Sequence, residues 1–428
     1  MKFKLYLTTC LLVLGLSCAH AVPAKKGVKR TIKLADGTSV VAELKGDEFA
    51  SYWQADDGKC YVQDIDSRTF KITDKAQVVN RGLAKRQKAN DERIKRFAKR
   101  GPKREITGAF SHFTGTKKGL IILVNFKDVK FGRTHTRTMF DNIANKKGFT
   151  NSLGFKGSVK DYFLAQSNGQ FELDFDVVGP YTLSQNMAYY GAHTKDGDVD
   201  AKAGHMVLEA CQMADKDVNY KDYDWDGDGE VDQVFVIYAG FGEADGGSED
   251  TIWPHESMLS ASTVGKRYET KDGVNVNTYA CGNENTYDML GRSRINGIGT
   301  ICHEFSHCLG YPDLYDTNYG GNFGMGSFDL MCSGSYNGES FCPPNYSAYE
   351  KWIAGWITPI VLDKPASVKG MQAQDVKYGQ AFVVYNDNNK NEYYLIENRQ
   401  QSVGIWDKLL PASGMMITHV DYDKNIWE

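Results

Sequence analysis

The chain has 428 residues, of which 41% are hydrophobic and 24% charged, and its formal net charge is −4. These values describe an ordinary globular protein of two or three domains and exclude a fibre or a disordered tail. Without a basic excess in the larger part of the chain, there is no electrostatic footing for nucleic-acid binding.

The chain opens as a targeting segment. Lys2 and Lys4 precede an apolar run from Leu5 to Leu16, too short to span a bilayer, and Ala19-His20-Ala21 is a small-x-small cleavage signal. The expectation is a signal peptide over 1–21, cut after Ala21, and a protein secreted to the periplasm or beyond the cell. A lipoprotein site at Leu16-Ser17-Cys18 is the alternative, against which Gly15 stands where a larger aliphatic residue is preferred. No later stretch is long and apolar enough for a membrane span. Cys10 and Cys18 leave with the signal. Cys60, Cys211, Cys281, Cys302, Cys308, Cys332 and Cys342 remain, an odd set in a compartment that permits disulfides.

Residues 22–83 read as a small β-rich unit. Alternating runs flank Asp36-Gly37 and Asp57-Gly58, and Asp-Gly between such runs signals a hairpin. Residues 84–116 form a linker, dense in Lys and Arg up to Arg104 and broken at Gly101-Pro102. It is a solvated helical connector, an exposed site for a trypsin-like protease, or both. From Gly119 the pattern turns α/β. Leu120–Phe126 and Val234–Ala239 read as buried strands, Phe171–Val178 as an alternating strand, and Ser158–Ser167 and Asp200–Ala214 as helices. Residues 311–428 are rich in loops, with strands near Ala381–Tyr385, Tyr393–Glu397 and Met415–Val420.

The segment Gly299-Thr-Ile-Cys-His303-Glu304-Phe-Ser-His307-Cys-Leu-Gly310-Tyr-Pro-Asp313 carries the chemistry. Ile298, Ile301, Cys302, Phe305 and Leu309 define one apolar helix face, and His303, Glu304 and His307 lie on the opposite side. Histidines four apart stand one turn above the other and reach a single ion. Gly310 lets the helix end and Pro312 stops it resuming, so Asp313 can turn back as a third ligand. A tetrahedral Zn²⁺ then keeps one position for water, and Glu304 is placed to take that water's proton. The bland alternative is an amphipathic helix with two histidines on its polar face.

This segment resembles the metzincin metallopeptidases, in the variant with Asp as third ligand. Gly326-Ser-Phe-Asp-Leu-Met331-Cys-Ser-Gly334 resembles their Met-turn, with Met331 as the apolar floor beneath the metal. Within that group the chain is similar to the immune inhibitor A family of secreted bacterial peptidases. The likeness rests on Gly119–Phe126, Ser158–Phe163 with Ser167-Asn-Gly169, Val178-Gly-Pro180, Phe235–Gly240, Ile252-Trp-Pro-His255 and Leu410–Gly414 before His419-Val-Asp421. Gly46-Asp47-Glu48-Phe49 resembles part of the family's pro-region.

The resemblance implies an α/β (α+β) metzincin-like catalytic domain with a twisted sheet and an active-site helix, preceded by the β-rich pro-region. It implies a zymogen, a zinc endopeptidase acting on proteins or peptides, and structural calcium. Residues 117–310 are then an N-terminal catalytic subdomain, and 311–428 a C-terminal one that stops mid-domain at Glu428. Asp316, three residues past Asp313, competes as third ligand or supports it. Readings from other classes are a catalytically silent secreted binding protein on this fold and a cell-wall peptide amidase.

Two further features invite a role. Asp224, Asp226, Asp228, the Glu230 carbonyl and Asp232 alternate around Gly229 as in the first part of an EF-hand loop, and would surround Ca²⁺. Phe235 stands where that loop needs its bidentate Glu, so a strand rather than a helix should follow. Cys60 is the one thiol of the pro-region. As a thiolate it could fill the open zinc position and keep the precursor silent, or it could be a buried structural cysteine.

Overall fold

The computed structural model describes residues 21–97 and 113–423, apart from 196, 289 and 376–378. The expected signal segment up to residue 20 and the Gly101-Pro102 break lie outside the described residues.

The N-terminal unit, the one expected from the sequence to be a pro-region and called so below, is an antiparallel sheet in sequence order: β1 (Lys29–Lys33), β2 (Ser39–Gly46), β3 (Ser51–Ala55), β4 (Cys60–Gln63) and β5 (Phe70–Thr73). Gly37 at φ 87° and Gly58 at φ 85° supply the left-handed turn residues expected at the two Asp-Gly pairs. Ile32, Leu44, Trp53 and Tyr61 on one face share a cluster with Ala21, Val22, Ala244 and Trp253, so this sheet buries its apolar face against the rest of the chain. Helix α1 (Lys75–Phe97) follows. It starts before the basic run because Asp74 caps it, its carboxylate accepting from Ala76 N at 2.9 Å.

The second layer is a mixed sheet of β6 (Gly115–Asn125), β7 (Phe171–Thr182), β8 (Val234–Phe241), β9 (His255–Met258), β12 (Thr278–Tyr287) and β13 (Ser293–Ile295), ordered β13-β12-β8-β6-β7 with β9 beside β12. A two-residue ladder, β10 (Tyr268–Glu269) with β11 (Asn275–Val276), stands apart. β6 is parallel to β7 and β8, and its near-continuous apolar run follows from burial on both faces. Ile121 and Leu123 point to one core with α2 (Arg137–Asn145), α3 (Val159–Gln166) and the site helix α6 (Gly299–Cys308). Leu120, Ile122 and Val124 point to the other, with α4 (Met187–Gly191) and α5 (Ala203–Ala214). A third sheet, β14 (Ile360–Val361), β15 (Ala381–Asn386), β16 (Asn389–Arg399) and β17 (Gly414–Asp421), follows helix α7 (Ala348–Ile353).

One local expectation needs correcting. Helix α5 begins at Ala203 rather than Asp200, because Asp200 is left-handed at φ 48° and its carboxylate takes the Trp253 amide hydrogen. The face of α6 that carries His303, Glu304 and His307 is enclosed. Every residue from Gly299 to Cys308 is buried, under the pro-region on one side and the 311–350 loops on the other.

Helix α6 starts against backbone. A Cβ on Gly299 would sit 1.9 Å from the Ser335 carbonyl oxygen. Gly299→Ala should therefore destabilise the protein by about 1–3 kcal/mol, the usual cost of overpacking. Denaturant unfolding would read this, and an unchanged midpoint would mean the helix start is free to shift.

Candidate metal centre and the segment that covers it

The end of α6 builds the centre. Gly310, at φ 90°, occupies the left-handed position past the helix. Gly310 N donates to His307 O (2.7 Å) and Tyr311 N to Ser306 O (3.2 Å), the paired bonds of a Schellman ending. That turn points the Tyr311 carbonyl back at the helix, where His307 Nδ1 donates to it at 2.7 Å. His303 Nδ1 likewise donates to Leu330 O at 2.7 Å. Both imidazoles are thus held with Nε2 turned inward, the tautomer a metal ligand needs.

The inward donors converge. His303 Nε2 and His307 Nε2 are 3.1 Å apart, and Asp313 Oδ1 lies 3.2 Å from the first and 3.4 Å from the second. Donors about 2.0–2.1 Å from a tetrahedral zinc stand about 3.3 Å from each other, so the three separations fit that ion. Burial holds His307 down to about 4, which keeps its lone pair available. Asp313, not Asp316, meets the histidines. The Asp316 carboxylate instead accepts from the backbone of Asn318, Gly321 and Asn322. Met331 is fully buried in the same core, and its carbonyl accepts from Leu314 N at 2.7 Å.

Glu304 stands beside these donors, its carboxylate within 4.8 Å of the two histidines. Its Oε1 accepts from Val22 N at 2.8 Å, and its Oε2 is buried without a hydrogen-bond partner. Burial raises its proton affinity well above the usual carboxylate range, against the Val22 bond, and the nearby Asp313 and Glu48 carboxylates add to the rise.

The covering segment comes from the pro-region. Val22 O accepts from Trp253 Nε1 (2.9 Å), Pro23 O from Tyr336 Oη (2.8 Å), and Lys25 N donates to Ala244 O (3.0 Å). Glu48 follows β2, and both its carboxylate oxygens are buried without hydrogen-bond partners. Burial and the Asp47 charge raise its pKa well up, Arg86 opposes, and Asp313 adds to the rise. Asp47 and Arg86 form a wholly buried ion pair, and Arg86 Nη1 also reaches Thr317 O at 2.7 Å. The pro-region is thereby fastened to the loop just beyond Asp313.

Cys60 is not brought to the centre. Its thiol faces Gly58 O at 3.6 Å and Gln54 Nε2 at 3.8 Å, and it packs with Ala50, Tyr52 and Val78. Sequence reasoning missed Val22, Glu48 and Trp253. The only signals were the Gly46–Phe49 and Ile252–His255 resemblances, and neither says which way a side chain points. All seven cysteines from Cys60 onward are buried, and none of them is joined in a disulfide among the described residues. His255 serves structure, bonded to Trp253 O (2.7 Å) and Tyr279 Oη (3.1 Å).

In the acidic loop, Asp224, Asp226 and Asp232 bring carboxylate oxygens within 4.8 Å of one another. Amides of Gly227 (2.8 Å) and Gly229 (2.9 Å) fold the loop around Asp224. The Glu230 carboxylate turns away to Arg267 at 3.3 Å. β8 follows, as the missing twelfth-position Glu required.

Three inward donors on and just past one helix, with a carboxylate beside them, are the kind of set that can hold one metal ion and activate a water on it. The chain belongs to the immune inhibitor A peptidase M6 family, whose catalytic domain matches residues 113–356. It is 29% identical over 260 residues to the pre-pro-metalloprotease PrtV of Vibrio cholerae serotype O1, covering 52% of this chain and 28% of that protein. It is 27% identical over 304 residues to immune inhibitor A of Bacillus thuringiensis subsp. alesti, covering 59% of this chain and 42% of that protein. The matched part thus spans less than half the length of either relative.

The ligand assignment separates two neighbouring aspartates. Asp313→Asn should weaken zinc binding by at least about 100-fold, more than the loss of a group that only supports a ligand. Asp316→Asn should leave it within a few fold. Zinc titration against a chromophoric chelator reads both.

Proposed function

We propose that this chain is the precursor of a secreted zinc-dependent endopeptidase acting on proteins or peptides, with Glu304 as its general base. The observation that carries the reading is the convergence of His303, His307 and Asp313 with Glu304 alongside. Zinc held by these three residues would acidify water from a pKa of about 15.7 towards 7 and polarise a carbonyl.

The chain's own residues do the rest. Glu304 takes the proton from the attacking water at its carboxylate and passes it to the departing amine. Trp253 Nε1 and Tyr336 Oη, which now hold the carbonyls of Val22 and Pro23, are donors that a substrate backbone would use once the pro-region departs.

Latency follows from the same contacts. While Val22 donates to Glu304 Oε1, the base is engaged and the cleft is lined along its length by residues 22–25. Signal removal after Ala21 would make that nitrogen the free amine of the precursor. Cleavage in the basic stretch beyond α1 would then release the pro-region. The acidic loop 224–232 is read as a calcium site that stiffens the approach to β8, since its clustered carboxylates repel unless a cation joins them.

Three outcomes test this. The chain cut in its basic stretch should degrade casein, and Glu304→Gln should lower kcat/KM by at least about 100-fold while zinc stays bound. Equal activity would remove Glu304 from the reaction. Asp47→Ala leaves Arg86 buried without its partner, a loss of about 3–5 kcal/mol. The uncut variant should therefore show loosened pro-region protection in hydrogen exchange and premature casein cleavage. Calcium should raise the melting temperature of the native chain but not of Asp224→Ala.

A further inference from the structure

A second cluster of metal-ligating groups lies away from the helix α6 centre, where the loop after α4 meets the loop after β8. His193 Nε2 is 2.8 Å from Glu243 Oε2, and His193, Asp200 and Glu243 each place a ligand atom within 4.8 Å of the other two. Asp200 is 8% exposed and Glu243 2%. One Asp200 oxygen, Oδ2, accepts the Trp253 amide hydrogen. The other, Oδ1, is buried without any hydrogen-bond partner. Neither carboxylate forms an ion pair with lysine or arginine among the described residues.

A buried carboxylate oxygen with nothing to bond is costly, and so are two buried carboxylates facing one imidazole. A divalent cation removes both costs. Two carboxylates neutralise its charge, and the unused oxygen becomes a ligand. An imidazole in the set selects a zinc-like transition ion over calcium or magnesium, which take oxygen ligands. His193 and Glu243 also line a cleft of about 590 Å³ between the pro-region sheet and the catalytic part, which gives an ion a way in.

We propose that His193, Asp200 and Glu243 form a second divalent transition-metal site, distinct from the centre on α6. Its place in the fold says what it holds. Asp200 bonds the Trp253 backbone, and the Trp253 side chain bonds the chain segment lying in the cleft. Glu243 precedes Ala244, whose carbonyl accepts from that same segment. The ion would brace two loops that together form the cleft wall contacting a bound peptide backbone. Ser51 of the pro-region donates to Glu243 Oε1 at 3.3 Å, so the site lies under the pro-region in the precursor.

The test counts metal and does not depend on peptidase activity. The full chain carrying Glu304→Gln is stripped with chelator, reloaded with Zn²⁺ in millimolar calcium and dialysed, and bound zinc is measured by mass spectrometry. Two zinc equivalents are expected. His193→Ala and the near-isosteric Glu243→Gln should each retain one, His307→Ala should retain one, and His193→Ala with His307→Ala none. Co²⁺ loaded into His307→Ala should show visible d–d bands that vanish with Glu243→Gln. A single equivalent at saturation overturns the proposal. So do two equivalents that persist in a folded His193→Ala or Glu243→Gln chain.

Discussion

Three electron-pair donors lie within 3.4 Å of one another in the interior, two imidazole nitrogens and a carboxylate oxygen, and much of the structure serves to keep them there. Helix α6 supplies two of them by its pitch. The third depends on how the helix stops. Gly310 reverses the chain within one residue, the reversal turns the Tyr311 carbonyl onto His307, and Asp313 follows at the right height. The other supporting carbonyl, Leu330 O, comes from the turn that carries Met331. The turn that orients His303 is itself placed by tight backbone approach, at Gly299 beneath Ser335 and Gly334 beneath Asp329. Rigidity here comes from backbone packing, with side chains of fixed tautomer seated on it.

The pro-region uses the same cleft by different means. Its sheet contributes to a shared apolar cluster, its first residues hydrogen-bond along the cleft, and one buried ion pair, Asp47 with Arg86, fixes the connection to the 315–319 loop. Burying a charge pair is weak evidence of stability by itself, but removing one partner is costly. That asymmetry suits the proposed role of a covering segment that holds until it is cut. Glu48 adds a buried carboxylate to a neighbourhood that already contains Glu304 and Asp313. Carboxyl groups crowded inside a protein in this way are either held neutral by protonation, the direction in which burial moves both Glu48 and Glu304, or balanced by a cation.

The sequence by itself determined what depends on local order. Spacing within eleven consecutive positions placed His303, Glu304, His307 and Asp313 on a helix and its turn, because helical pitch and the Gly-Tyr-Pro stop act over a few residues. The Asp-Gly hairpins of the pro-region and the apolar strand Leu120–Phe126 were legible for the same reason. Only the tertiary structure decided what meets across distance. Val22 lies 282 positions from Glu304, and Asp200 lies 53 from Trp253. No periodicity carries such pairings, since they arise from how separate layers pack. Cys60 shows the limit from the other side. Its chemistry suited a zinc ligand, but β4 turns its thiol into a small apolar cluster, and the orientation of a strand residue is set by the sheet it joins rather than by its own neighbours in sequence.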